Sequence, residues 1–209
     1  MMKLYYAHDT VSLAAHVALE ETGADYVAQL VDFRINEQSS PEFLKVNAKG
    51  RVPVLVTKDG ILTETPPILY YICRTYPGTG LTGDIEDSSY RLADMQSFHL
   101  FLATSVHVAF AHIFRPARYG EGEDVAAAMR EKSSVAIYKF FGMIEAKLAD
   151  GRPYVHGDNF TITDPYLLVF SRWMDRAKLE LFDKFPSIGA HRRRIESRPS
   201  VQKVLALTQ

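Results

Sequence analysis

The sequence predicts an α/β domain followed by an all-helical domain. Short apolar segments alternate with helical segments over the first 80 residues or so, which is typical of a sheet with crossover helices. Past about residue 87 the strand-like segments end, and long amphipathic segments follow. Pro77 and Gly78 interrupt the chain between these two parts. The sequence therefore predicts a domain boundary near residue 82, with domains at 1–81 and 87–209.

The first domain is predicted to follow the order β-α-β-α-β-β-α. Because its first strand, helix and second strand come in succession, we expect a right-handed crossover and a parallel strand pair. The Asp59-Gly60 pair favours a tight turn, so a hairpin should add an antiparallel edge. This is a thioredoxin-like order of elements. The strands are predicted at 3–7, 26–31, 52–56 and 61–63, and the helices at 12–21, 41–46 and 68–73.

The segment 46–77 carries the most specific pattern in the chain. Residues 52–56 are mostly β-branched with a proline near their head, which favours a short buried strand. Thr65 is predicted to be the N-cap of the third helix, with proline just inside the first turn. The free N–H groups and positive dipole end at such a terminus suit a carboxylate ligand.

The second domain is predicted to be entirely helical. Its third helix is too apolar to be anything but a core helix. Thr161 and Asp164 have the spacing of a capping box at its start, which indicates a folding role. The helices are predicted at 87–114, 125–148, 163–177, 187–197 and 200–207.

Composition limits the possible partners and compartments. The 209 residues carry a net charge of −1, so nucleic acid and membrane surfaces are not expected partners. Cys73 is the only cysteine, which excludes an intramolecular disulfide and favours a reducing compartment. The N-terminus does not look like a signal peptide, and we see no apolar run long enough to span a bilayer. We therefore expect a cytoplasmic location.

The chain resembles the glutathione S-transferase family along essentially its whole length. Residues 51–55, RVPVL, are similar to the family's cis-proline motif. Residues 64–68, ETPPI, are similar to its acidic-hydroxyl helix start, usually Glu-Ser-x-Ala-Ile. Residues 157–164 and 195–201 are similar to its buried capping motif and its C-terminal signature. The first 21 residues resemble the bacterial beta class most.

The resemblance implies a homodimeric transferase that uses glutathione as co-substrate and binds a small hydrophobic electrophile between the domains. By position, the Val52 backbone beside Pro53 would pair with the cysteinyl part of glutathione. Glu64 would hold the γ-glutamyl amine, and Thr65 would hold its carboxylate. Two further cations are candidates for the glycyl carboxylate, although isolated exposed cations are more often simply solvated: Lys49 and Arg34.

The residue that activates the thiol departs from the beta-class pattern. That class has a cysteine before its first helix, and Val11 stands at this position. Ser12 is a candidate hydroxyl donor, with a helix cap as its alternative role. Thr10 and Tyr6 are the other candidates, although a turn residue and a core aromatic are their more common roles. His107 matches a histidine that beta enzymes place near the thiol, although a core histidine is the commoner reading.

Two functions remain open at this level. The first is glutathione conjugation, with the thiolate stabilised by a hydroxyl and a helix dipole. The alternative is a non-catalytic or weakly active protein of the same fold that binds glutathione or another ligand. A thiol–disulfide reductase is disfavoured because the first turn has no cysteine.

Three aromatic residues are candidate walls of the acceptor pocket, with core packing as the commoner role: Phe114, Tyr119 and Trp173.

Overall fold

A computed structural model describes residues 1–83 and 88–207 of the chain. The N-terminal part contains a four-stranded sheet and three α-helices. The strands are β1 (Met2–Tyr6), β2 (Tyr26–Leu30), β3 (Val54–Val56) and β4 (Ile61–Thr63). The helices are α1 (Ser12–Thr22), α2 (Pro41–Val46) and α3 (Thr65–Thr75).

The sheet has the strand order β2-β1-β3-β4. Strand β1 pairs in parallel with β2 and antiparallel with β3, and the β3–β4 hairpin forms the edge. These observations confirm the predicted parallel pair and antiparallel hairpin. Strand β3 begins at Val54 instead of residue 52. Pro53 has no N–H to donate to a neighbouring strand, so regular pairing starts after it.

Helix α3 begins one residue earlier than predicted, so the assignment of Thr65 as its N-cap was wrong. The N-cap is Glu64, whose φ of 71° lies in the left-handed region. Pro66 and Pro67 have no N–H groups. The first donor after them is the Ile68 N–H, which bonds to the carbonyl four residues back, that of Glu64, at 3.2 Å. Thr65 is therefore the first helical residue.

The C-terminal part is helical within residues 88–207. Its first predicted helix is interrupted by a π turn, and its predicted start at Asp87 lies outside the described residues. The elements are α4 (Ser89–Phe101), the π turn (Leu102–Val106), α5 (His107–Phe114), α6 (Glu123–Leu148), α7 (Thr163–Arg176), α8 (Pro186–Glu196) and α9 (Pro199–Ala206).

The helical run Ser89–Phe114 is long and apolar enough, by length and composition alone, to cross a bilayer. This differs from the sequence expectation that no such run exists. It is weak evidence for a membrane span, because core helices meet the same criterion. Met95, Leu102 and Phe110 from this run are fully buried in the main hydrophobic cluster, so core packing accounts for part of its apolar character.

The capping box at the start of α7 forms as the sequence predicts. The fully buried Asp164 carboxylate accepts hydrogen bonds from the Thr161 N–H at 2.7 Å and the Thr161 hydroxyl at 3.1 Å. It also accepts from the Val155 N–H and His191 Nε2, each at 2.9 Å. One carboxylate thereby joins α7, α8 and the loop between α6 and α7.

The two parts pack against each other through helix α1. Its partners on the helical side are α7 and α9. Glu21 accepts two hydrogen bonds from the Arg198 guanidinium, at 2.7 and 2.8 Å. From α7, the Trp173 indole N–H donates to the Asp9 carbonyl at 3.1 Å. These contacts fix the β1–α1 turn against α7, where the candidate site lies.

Candidate functional site

A cavity of about 230 Å³ lies where the sheet side and the helical side meet. One wall comes from the β1–α1 turn, the residues before β3 and the start of α3. The opposite wall comes from α5, the loop after α5, and α7. The first wall therefore contains two elements that are typical of ligand sites, a strand-to-helix turn and a helix N-terminus.

Four of the predicted glutathione-binding residues line the first wall: Val52, Pro53, Glu64 and Thr65. The Val52–Pro53 peptide is cis, as the motif implies. Thr65 is buried at the first position of α3. Since the next two residues are prolines and the Ile68 N–H is already used, the Thr65 N–H is the donor available to a ligand at this terminus.

Two predicted cations do not line the cavity. Lys49 forms an ion pair with Glu64 at 2.6 Å and donates to the Thr63 hydroxyl at 3.0 Å. Arg34 has 86% of its side chain exposed and pairs with Asp32 at 2.7 Å. The Arg34 guanidinium lowers the pKa of Asp32 to about 2. Lys49 therefore contacts a residue that lines the cavity, Glu64, whereas the partner of Arg34, Asp32, does not line it.

The three hydroxyl candidates differ in position. Thr10 lines the cavity, whereas Ser12 and Tyr6 line only an adjoining recess against α7 and α9, which Thr10 borders as well. The Ser12 hydroxyl is fully buried, accepts from the Ala7 N–H and donates to the Ala7 carbonyl, both at 3.1 Å. Its oxygen lies 2.7 Å from the Thr10 hydroxyl oxygen. Thr10 is thus the candidate that borders the cavity, and its hydroxyl donates to the Ala7 carbonyl at 2.9 Å.

Val11 also lines the cavity, where the resemblance places a cysteine in the beta class. Cys73, the chain's only thiol, is 1% exposed inside α3, and its Sγ lies 3.1 Å from the Tyr70 carbonyl. The protein itself therefore offers no thiol to the cavity. Neither Thr10 nor Val11 donates its backbone N–H to another residue in the described part of the chain, so these two groups are open to a ligand.

His107 lines the opposite wall from the first turn of α5. Its ring contacts Trp173, with ring centres 5.2 Å apart, and Phe170 at 6.0 Å. Burial lowers the pKa of His107 to about 4, and the positive charge of Arg51 adds to this effect. The imidazole is therefore neutral near pH 7 and can donate or accept one hydrogen bond at the cavity.

The three aromatic candidates for the acceptor wall all line the cavity: Phe114, Tyr119 and Trp173. Phe114 and Trp173 pack edge to face with ring centres 5.6 Å apart. Tyr119 is 47% exposed at the cavity mouth. An aromatic ring could be held between these faces.

The sequence did not identify the arginines of the cavity: Arg51, Arg115, Arg118 and Arg176. Arg51 directly precedes Val52, so its position in the motif was a usable signal. The other three come from the loop after α5 and from the end of α7. Nothing in their spacing marks them as neighbours.

The described residues contain no group of three or more histidine, cysteine, aspartate or glutamate side chains placed to hold a metal ion. The cavity instead combines a helix N-terminus, a hydroxyl, an unpaired backbone N–H pair and aromatic faces. Such groups can hold a peptide-like carboxylate and stabilise an anion beside an apolar ligand.

Comparison with known proteins shows which family has this architecture. The model of the glutathione S-transferase N-terminal domain matches residues 1–74, and that of the C-terminal domain matches residues 102–199. Glutathione S-transferase GstA of Escherichia coli O157:H7 is 31% identical over 208 residues, covering 98% of each chain. The chain belongs to the glutathione S-transferase family.

Solved structures of other family members have the same fold. A glutathione transferase homologue from Sulfitobacter, determined with bound glutathione, superposes with a TM-score of 0.90 at 33% identity. The match covers 99% of this chain and 98% of that one. A beta-class glutathione S-transferase from Sphingomonas chungbukensis gives a TM-score of 0.82 at 33% identity, with the same coverage. The thioredoxin-like and all-helical architecture predicted from sequence is thereby confirmed.

Proposed function

We propose that this protein conjugates the thiol of glutathione to a small electrophile bound in the same cavity. The observation that carries the proposal is the shared lining of the cavity. The Val52–Pro53 segment, the α3 N-terminus and Thr10 lie on one wall, and aromatic side chains lie on the other.

The first wall suits the peptide part of glutathione. The Thr65 N–H and the positive end of α3 favour the γ-glutamyl carboxylate, and the Glu64 carboxylate favours its amine. The Val52 backbone, which lies just before regular sheet pairing begins, is placed to pair with the cysteinyl backbone. Lys49 is paired with Glu64, which puts it at the γ-glutamyl end in this proposal, and the cavity lining supports neither Lys49 nor Arg34 as a ligand of the glycyl carboxylate.

Thiolate stabilisation is assigned to the start of α1. The Thr10 hydroxyl donates to the Ala7 carbonyl at 2.9 Å, and in this proposal its proton turns to the sulfur when glutathione binds, while the Ser12 hydroxyl keeps its bond to the same carbonyl. The N–H groups of Thr10 and Val11 and the helix dipole add to the positive potential there. Tyr6 and Ser12 lie outside the cavity, so Ser12 is a positioning residue and Tyr6 a packing residue in this proposal. His107 faces the cavity as a neutral imidazole.

The reaction follows from this arrangement. The thiol proton leaves to solvent, and the thiolate sulfur forms a bond to the electrophilic carbon. With a chlorinated nitrobenzene, the carbon–chlorine bond breaks and chloride leaves with its electron pair. The aromatic faces of Phe114, Tyr119 and Trp173 would orient the ring.

Conjugation of 1-chloro-2,4-dinitrobenzene, measured together with calorimetric titration of glutathione, tests this proposal. We expect saturable binding and turnover. Thr65→Val keeps the backbone N–H but removes the hydroxyl at the carboxylate site, so it should weaken glutathione binding about tenfold. Thr75→Val, at the other end of the same helix, is the matched control. Absence of glutathione binding would contradict the proposal, and tight binding without turnover would favour the alternative, a non-catalytic glutathione-binding protein.

We also propose a cytoplasmic homodimer, as the family resemblance implies. In support, Tyr90 and Leu100 on α4 are 79% and 55% exposed, so this helix has apolar side chains available for a second subunit. Sedimentation equilibrium would distinguish a mass near 23.6 kDa from twice that value. A monomer at micromolar concentration would contradict the proposed dimer.

A further inference from the structure

Three arginines converge on the helical wall of the cavity: Arg115, Arg118 and Arg176. Within residues 1–83 and 88–207, none of them forms an ion pair with a carboxylate. Arginines are usually neutralised by a partner or left fully in water. Three of them beside an aromatic cavity leave an unbalanced positive charge.

The positive charge of these arginines changes the pKa values of other groups at the cavity. Burial lowers the pKa of Arg115, and the charges of Arg118, Arg176 and Arg51 lower it further. Arg51, Arg115 and Arg118 also lower the pKa of His107. These groups therefore lie within electrostatic range of one another.

The acidic side chains of the cavity do not balance this charge. Asp9 and Glu64 line it, but the Glu64 carboxylate is already paired with Lys49. Both carboxylates belong to residues of the first wall, and within the described residues neither forms an ion pair with the three arginines, although Arg176 reaches the main-chain carbonyl of Asp9. The helical wall therefore faces the second ligand with positive charge.

Two of the guanidinium groups are held in place by aromatic rings. Arg176 lies 4.5 Å above the Phe114 ring centre and donates to the Asp9 carbonyl at 3.3 Å. Arg115 lies 5.3 Å from the Phe33 ring centre. Each guanidinium has five N–H donors, so these contacts leave donors free for a planar anion. A fixed fork of this kind suits a carboxylate or sulfonate.

We propose that Arg115, Arg118 and Arg176 make this cavity selective for an aromatic electrophile that carries a carboxylate or sulfonate. The inference rests on the proposed function, because it names the class of the second substrate. Arg51 is left out of this subsite because it precedes Val52 on the glutathione side. The aromatic body would lie between Phe114, Tyr119 and Trp173, with its anionic group on the arginines.

A binding measurement tests the inference without any need for turnover. Trp173 is the only tryptophan in the chain and lines the cavity, so its fluorescence reports a bound nitroaromatic. We would titrate 3,5-dinitrobenzoate and the neutral 1,3-dinitrobenzene in the presence of glutathione. The anion should bind at least about tenfold more tightly, as one charge-assisted hydrogen bond would supply. Because Arg118 and Arg176 are exposed, the preference should fall as salt is raised.

Charge-removing variants assign the preference to particular residues. Arg118→Gln and Arg176→Gln should each reduce the affinity ratio of the two compounds, and the triple variant that adds Arg115→Gln should bring it within about twofold. Arg130→Gln is the matched control, since Arg130 lies on α6 and pairs with Glu123 outside the cavity lining. The control should keep the full ratio.

Separate outcomes distinguish this inference from the proposed function. Equal affinity for the two compounds overturns the inference, even if 2-chloro-1,3-dinitrobenzene is turned over and the transferase assignment stands. A glutathione affinity that falls in the Arg118 and Arg176 variants would also overturn it, because the arginines would then serve the glycyl carboxylate. An anion preference without conjugation of 4-chloro-3,5-dinitrobenzoate supports the subsite and contradicts the transferase assignment.

Discussion

The hydroxyl oxygens of Thr10 and Ser12 lie 2.7 Å apart, and only that of Thr10 belongs to a residue that lines the main cavity. Ser12 is held from behind by both backbone groups of Ala7. The Thr10 hydroxyl also donates to the Ala7 carbonyl, at 2.9 Å. Both hydroxyls are therefore anchored at Ala7, and Thr10 is the one that borders the main cavity.

Thr10→Val should lower kcat/KM for conjugation by about tenfold to a hundredfold, because it removes one charge-assisted hydrogen bond to the thiolate. It should also raise the pKa of bound glutathione, which ultraviolet absorbance of the thiolate measures directly. Thr22→Val, at the other end of α1, is the matched control because its hydroxyl bonds only to the Leu19 carbonyl and the Ala24 N–H. An unchanged thiol pKa in Thr10→Val would remove Thr10 from the mechanism.

Ser12→Ala should act mainly on stability. It leaves the buried Ala7 N–H without an acceptor, which costs about 1–3 kcal/mol. Chemical denaturation measures this loss in the free energy of unfolding. Because Thr10 keeps its hydroxyl, turnover by the folded variant should fall less than in Thr10→Val. A larger loss of turnover in Ser12→Ala at unchanged stability would make Ser12 the direct donor.

Asp164→Ala should cost about 3–5 kcal/mol of unfolding free energy, since it leaves several buried donors unpaired at once. The measurement is the denaturation midpoint with an unchanged denaturant slope. Asp150→Ala, which removes an exposed ion pair with Arg152, is the control and should have little effect. Equal shifts in the two variants would show that the capping contacts of Asp164 add nothing.

Acid should destabilise the fold between about pH 6.5 and pH 4. Burial lowers the pKa of His16 to about 4 and that of His99 to about 3. The unfolded state then binds more protons than the folded state in this range, so stability is full above pH 6.5 and falls as pH decreases. The loss should be about 2 kcal/mol per histidine at pH 5.

His99→Gln tests this pH dependence. Glutamine can keep the contact with Thr163 that His99 Nε2 makes at 2.8 Å, but it does not titrate. Thermal unfolding midpoints measured from pH 8 to pH 4.5 should therefore decline less steeply in the variant. Parallel curves for variant and wild type would exclude His99 as a source of the acid sensitivity.

His107→Gln should leave the pH at which conjugation rises essentially unchanged. The imidazole, with a pKa of about 4, is already neutral across pH 5–8, so the ionisation seen there should be that of the thiol. The kcat/KM profile against pH measures this point. A displaced profile in His107→Gln would make His107 a proton acceptor in the reaction.

The sequence specified the parts of the site that lie within single segments. Val52, Pro53 and Glu64 follow from motifs whose residues are contiguous, so local pattern was sufficient. Whether Thr10 or Ser12 borders the cavity could not be predicted from the sequence, because neighbouring residues at a helix start point in different directions. The structure settles which of the two hydroxyls lines the cavity.

The arginine subsite was outside the reach of sequence reasoning for a different reason. Arg115 and Arg176 are about sixty positions apart in the chain, and only the packing of α5 against α7 brings them to one cavity. Thr65 shows a milder limit. Its helix start was predicted one residue late because two prolines shift which N–H closes the first turn.

The π turn at Leu102–Val106 is equivalent to one residue inserted into a helix, since the His107 N–H bonds to the Leu102 carbonyl five positions back. Side chains after the turn are therefore rotated about the helix axis relative to those before it. Deleting a single residue here would restore a regular helix, but would turn His107 by about 100° around the axis. The extra residue of this turn sets which side chains of α5 point toward the cavity. In a sequence alignment, a one-residue gap at 102–106 should therefore mark family members whose acceptor walls are built from different side chains.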